Sequence, residues 1–134
     1  MATAALAFAP ILASAAQYDD TDPISTGCAN TVQTIYSINA DGGLLELRFS
    51  NGCYTAWAKF TCQTAGGCSI GMKVERSANS PAGFLRLTVN APSIANGDTR
   101  YTQQLYDGGA NRALACSQTI SFWGDGPYHC TAYY

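Results

Sequence analysis

Apolar and polar residues alternate with a period of two along most of this chain. Over Gly43–Ser50, Leu45, Leu47 and Phe49 fall on one face and Leu44, Glu46 and Arg48 on the other, as in a half-buried β-strand. Over Cys53–Cys62, Tyr54, Ala56, Ala58 and Phe60 oppose Thr55, Trp57, Lys59 and Thr61. Asn51-Gly52 stands between these runs, and both residues tolerate the positive φ of a type I′ turn, so the pattern predicts a tight hairpin there. Further strands are predicted at Thr31–Ile38, Ser69–Arg76, Gly83–Asn90, Thr99–Tyr106, Arg112–Ile120 and Tyr128–Tyr133. Breakers separate them at Asp41-Gly42-Gly43, Gly66-Gly67, Ser80-Pro81, Asn96-Gly97-Asp98, Asp107-Gly108-Gly109 and Gly124-Asp125-Gly126-Pro127. No window beyond the N-terminus has helical apolar spacing. About eight short strands with regular turn signals predict an all-β fold, either a small antiparallel sandwich or a small barrel.

The N-terminus breaks this pattern. Ala4–Leu12 is a continuous apolar run, and Ala13-Ser14-Ala15 puts small residues where a signal peptidase reads. The expected organisation is a signal-like segment over 1–15 and one secreted β domain over 16–134. No Lys or Arg precedes the run; the alternative is a retained apolar helix of about 12 residues, too short to cross a bilayer. Cys28, Cys53, Cys62, Cys68, Cys116 and Cys130 make an even set, which in an exported chain implies a disulfide framework with fifteen possible pairings. Charged residues are only 12% of the chain, the net charge is −2, and the seven Lys and Arg are scattered. Nucleic acid and anionic membrane surfaces, which need clustered cations, are therefore not expected partners.

The series Asp22-Pro23-Ile24-Ser25-Thr26-Gly27-Cys28-Ala29, Leu45-Glu46-Leu47-Arg48-Phe49-Ser50, Cys53 and Thr55-Ala56-Trp57-Ala58-Lys59 resembles the YjfA-like family of small secreted Gram-positive bacterial proteins, a domain of unknown function. Tyr101–Asp107 and Ala113–Cys116 resemble its C-terminal half more loosely, and Phe49 stands where the family pattern has Tyr. The resemblance implies export and a compact β domain, and it implies no reaction. Adjacency together with the family pattern implies the bridges Cys28–Cys53, Cys62–Cys68 and Cys116–Cys130.

Candidate chemistry is sparse. No Cys-x-x-Cys and no closely spaced Cys/His pairs occur, so neither a redox motif nor a metal site is expected, and no cofactor. Asp19-Asp20-Thr21-Asp22 lacks the spacing of a calcium loop and reads as a solvated leader. No serine sits in a Gly-x-Ser-x-Gly elbow. The enzymatic alternative is a ribonuclease-like hydrolase in which Glu46, Arg48 and the lone His129 converge on substrate. Against it, Glu and Arg at alternate strand positions are ordinary solvent-face residues.

Aromatics carry the stronger hint. Trp57 points away from the Ala56/Ala58/Phe60 face, and Phe122-Trp123-Gly124-Asp125-Gly126-Pro127-Tyr128 sets large rings in a turn-rich loop. Exposed rings bordered by polar groups stack on sugars or anchor proteins; alternatively, Trp57 packs in the core on a bridge. The expected function is a non-catalytic binding domain for a cell-wall glycan or another secreted protein, with Trp57, Trp123 and Tyr128 as contacts. A third class, a self-assembling surface or filament subunit, would use the apolar N-terminus and open sheet edges.

Overall fold

The structure, a computed structural model, describes residues 17–134; the signal-like segment lies outside the described residues. A short 3-10 turn at Cys28–Thr31 leads into nine strands: β1 Val32–Ala40, β2 Gly43–Ser50, β3 Thr55–Cys62, β4 Cys68–Arg76, β5 Leu85–Ile94, β6 Thr99–Tyr101, β7 Leu105–Tyr106, β8 Ala113–Thr119 and β9 His129–Cys130. They form two antiparallel sheets. Sheet one has the order β1-β2-β3-β6, with β7 also on β3, and sheet two has the order β5-β4-β8-β9. The sandwich, rather than the barrel, is therefore the architecture. Among the described residues no helix is long and apolar enough to cross a membrane.

The period-two pattern explains the core. Leu45, Leu47 and Phe49 of β2 and Ala56, Ala58 and Phe60 of β3 face Ile70, Met72 and Val74 of β4 and Ala113 and Ala115 of β8. Leu45, Leu47, Phe60 and Ile70 are wholly buried, each stabilising the fold by about 1.5–3 kcal/mol. The small residues of β3 and β8 let the sheets close over these larger ones. The bridges are Cys28–Cys53, Cys62–Cys68 and Cys116–Cys130, the pairing that adjacency and the resemblance imply.

Two turns exchange roles relative to the expectation. The two-residue hairpin with both central residues at positive φ is Asp41-Gly42 (φ 55° and 84°), joining β1 to β2 between the paired Ala40 and Gly43. Asn51-Gly52 lies instead in a four-residue loop, because Ser50 pairs with Thr55 and the left-handed residue is Tyr54 at φ 54°. Outside contacts fix that loop. Thr31 accepts from Gly52 N through its hydroxyl (2.9 Å) and from Asn51 N through its carbonyl (3.1 Å), and Cys53 is bridged to Cys28.

Two predicted strands are also interrupted. Thr99–Tyr106 splits into β6 and β7 because the Thr102 hydroxyl, in place of a backbone carbonyl, accepts the Ala58 N–H at 3.1 Å. Tyr128–Tyr133 shrinks to β9, since the Thr131 hydroxyl likewise accepts from Ala115 N at 3.1 Å. Pairing resumes beyond it, where Tyr134 and Ala113 exchange both backbone hydrogen bonds and the Tyr134 ring packs 5.3 Å from Phe49.

Candidate functional site

The acidic leader is stapled down through Asp19, while Asp20 stays exposed. Asp19 accepts from Arg76 Nη1 at 3.0 Å, from Arg76 Nη2 at 3.2 Å and from Tyr106 N at 2.7 Å. Arg76 is only 3% exposed and also donates to the carbonyls of Ala82, Gly83 and Tyr106. Beside it, the buried Gln104 amide donates to the hydroxyls of Thr21 and Thr26, both at 3.0 Å, and accepts from Thr55 Oγ1 at 2.6 Å. With Gln104 N donating to Thr21 O and Asp20 N donating to Gln104 O, the leader is laid against sheet one. Isolated residues carry no periodic signature of such a hub, so the pattern of the chain does not disclose it.

This arrangement decides Trp57. Its side chain leaves the core face, yet it is 3% exposed and lies outside the intersheet cluster. Ile24, Ala29 and Val32 share with it a cleft on the outer face of sheet one. The expected open platform at Trp57 is thus corrected to a covered ring, buried as the alternative reading expected but on the outer side of sheet one rather than between the sheets.

The hydrolase residues are divided. Glu46 and Arg48 are joined on the outer face of sheet one, with Arg48 Nη1 at 3.3 Å from Glu46 Oε2 and Thr34 Oγ1 donating to the same oxygen at 2.7 Å. His129 belongs to sheet two, and its partner is Asp41 of the β1–β2 turn, with Nδ1 3.2 Å from Oδ1. The Asp41 side chain is 3% exposed and also accepts from Ser117 Oγ at 2.5 Å. Ser117, Asp41 and His129 include the residue types of a nucleophilic triad but not its order. The serine hydroxyl is directed to the carboxylate, and Ser117 is fully buried. What the cluster does is tie the two sheets together at one edge. Among the described residues no group of three His, Cys, Asp or Glu is placed to hold a metal ion.

The aromatic loop stands apart. Phe122 and Trp123 are 93% and 92% exposed and meet edge to face with centroids 5.3 Å apart. Their loop between β8 and β9 is braced by Ile120 N to Ser69 O at 3.1 Å, Gly126 N to Thr119 O at 2.8 Å and Ser121 Oγ to Gly124 O at 2.7 Å. The Cys116–Cys130 bridge closes its base across paired positions. Tyr128, at the end of the same loop, lies with its ring centroid 4.2 Å from Lys73 Nζ.

Lys73 also pairs with Glu75 at 3.3 Å, and Glu75 with Arg86 at 2.8 Å, so on the outer face of sheet two one carboxylate is shared by two cations. Burial works to raise the Glu75 pKa, but the hydrogen bonds and charges of Arg86 and Lys73 outweigh it and hold the carboxylate below its ordinary range. One residue pair along β4, an added Cβ on Gly71 would stand 3.0 Å from Asn90 Oδ1 and 3.3 Å from Gln118 Nε2. Two amides therefore close over that glycine. Trp123 and Tyr128 thus share one loop, while Trp57 lies on the opposite sheet.

A family model described as "Protein of unknown function (DUF2690)" matches residues 16–116. The chain belongs to the DUF2690 family. "Uncharacterized protein YjfA" of Bacillus subtilis (strain 168) is 30% identical over 108 residues, spanning 74% of this chain and 69% of that protein. No solved structure matches. The DUF2690 match takes in the leader, both sheets' central strands and Cys116, and stops short of the aromatic loop and β9.

Proposed function

We propose that this protein is a secreted, non-catalytic binding domain that holds a cell-wall glycan on the β8–β9 loop and the adjoining outer face of sheet two. The observation that carries this reading is the Phe122–Trp123 pair, two large rings almost wholly in solvent on a loop braced by hydrogen bonds and a disulfide. Leaving such rings exposed forgoes their burial energy, and pre-ordering their support lowers the entropic cost of stacking on a sugar face. The amides of Asn90 and Gln118 and the Tyr128 hydroxyl supply the donors and acceptors that sugar hydroxyls require. Three disulfides support the extracellular setting.

The test is co-sedimentation of the oxidised protein with insoluble peptidoglycan, beside the Phe122→Ala/Trp123→Ala variant. Retention of the parent and roughly tenfold weaker retention of the variant, with an unchanged thermal midpoint, is the expected result. Equal retention of both, or capture of a soluble protein with no affinity for wall material, overturns the reading.

A further inference from the structure

The cleft above Trp57 on the outer face of sheet one has a composition of its own. Its volume is about 180 Å³, and it is formed by Trp57, Tyr101, Ile24 and Val32 with Arg48 and Lys59 at the polar side. Drug-sized ligands occupy cavities of roughly 300–1,000 Å³, so this one admits a single ring or branched chain. The charges at its side do not cancel. Glu46 lies opposite Lys59 in the register, but its carboxylate is engaged by Thr34 and Arg48. Among the described residues Lys59 makes no ion pair or side-chain hydrogen bond, and Arg48 uses only Nη1. Two cations against one carboxylate leave a net positive charge beside an apolar floor.

We propose that this cleft is a binding site for a small carboxylate with an apolar body, its ring or branched chain among Ile24, Val32 and Tyr101 beside Trp57 and its carboxylate on Lys59 and the free edge of Arg48. The site is independent of the aromatic loop, since it lies on the other sheet. Hydrogen bonds between charged partners are among the strong ones, and a carboxylate accepts from both cations at once. A glycan chain does not fit the volume.

Phenylacetate and its uncharged analogue phenylacetamide are the probes. The chain has two tryptophans, so their indole N–H resonances report the cleft and the loop separately, and Trp123→Phe assigns them. Phenylacetate should shift the Trp57 indole saturably, phenylacetamide should bind roughly tenfold or more weakly, and Lys59→Met should erase that preference. No saturable shift at Trp57, equal affinity for acid and amide, or a shift confined to Trp123 would each overturn the proposal. The acid–amide comparison is made on the parent protein, so it stands whatever Lys59→Met does to folding.

Discussion

Asp107 offers the sharpest test of the energetics. It follows β7, its backbone N–H donates to Tyr54 O at 2.8 Å, and it is 5% exposed, yet neither carboxylate oxygen has a hydrogen-bond partner among the described residues. Arg76 and Arg112 are the charges near it, but the Arg76 guanidinium is committed to Asp19 and three carbonyls. Burial therefore dominates and pushes the Asp107 pKa from 3.8 up to about 8, against the opposing pull of both arginines. The native value stands above the unfolded one, so between them the native state holds one more proton and stability falls as pH rises. The contribution is fully present below the unfolded pKa and is lost as pH climbs to the native one. At 1.36 kcal/mol per unit, this one group should weaken folding by roughly 3–4 kcal/mol between about pH 5 and pH 8. Guanidinium denaturation of the oxidised protein and of Asp107→Asn across that range isolates it. The gap between the two proteins should move in the variant's favour by that amount. The slope carries the test, not the absolute stability, because an amide brings its own unmet donors. Parallel pH profiles for the two proteins would refute the assignment.

Three further outcomes follow from the geometry. Arg76→Met leaves the Asp19 carboxylate with only the Tyr106 N–H and removes a donor from three carbonyls, and should cost about 3 kcal/mol in chemical denaturation. Replacing each cysteine pair by serines should rank with the loop closed. On loop entropy the 25-residue separation of Cys28–Cys53 gives about 3.5 kcal/mol, against about 2 for the six-residue separation of Cys62–Cys68, read from denaturation midpoints. Gly43→Ala places a Cβ 2.2 Å from Thr61 O and 2.5 Å from Phe60 Cζ; it should lower stability by roughly 1–3 kcal/mol through overpacking, measured as a fall in thermal midpoint.

The strands were legible because burial on one face of a sheet enforces period two, and that constraint acts residue by residue along Leu45–Phe49 and Ala56–Phe60. Where a hydroxyl displaced the backbone, legibility failed. Thr102 and Thr131 each take an N–H that a continuous strand would have paired, and a threonine that does this looks like any other strand threonine in the sequence. The hairpin misassignment has a similar origin. Asn-Gly and Asp-Gly are equivalent local signals, and what separates them here is non-local: Thr31 and Cys28 reach the loop at Asn51–Tyr54, while Ser117 and His129 hold the Asp41 carboxylate and Gln63 and Thr64 hold the Gly42 carbonyl at the two-residue turn.

The candidate sites show the same division between local and distant causes. Phe122 and Trp123 were readable as exposed because Gly124, Gly126 and Pro127 around them deny the loop a strand or helix in which to bury a ring. Trp57 was not readable, because residues distant in sequence, Ile24, Ala29 and Val32 before it and Thr99 and Tyr101 after it, help to make its environment. The leader comes down over its sheet only because Arg76 meets Asp19 and Gln104 meets Thr21 and Thr26. Each of those contacts pairs residues 57 to 83 positions apart, and each involves a polar side chain whose sequence context is ordinary. The same contacts that take Trp57 out of solvent also build the wall of the cleft beside Arg48 and Lys59. A chain without the leader should therefore expose Trp57 and lose the cleft together, while leaving the Phe122–Trp123 loop on the far sheet unchanged.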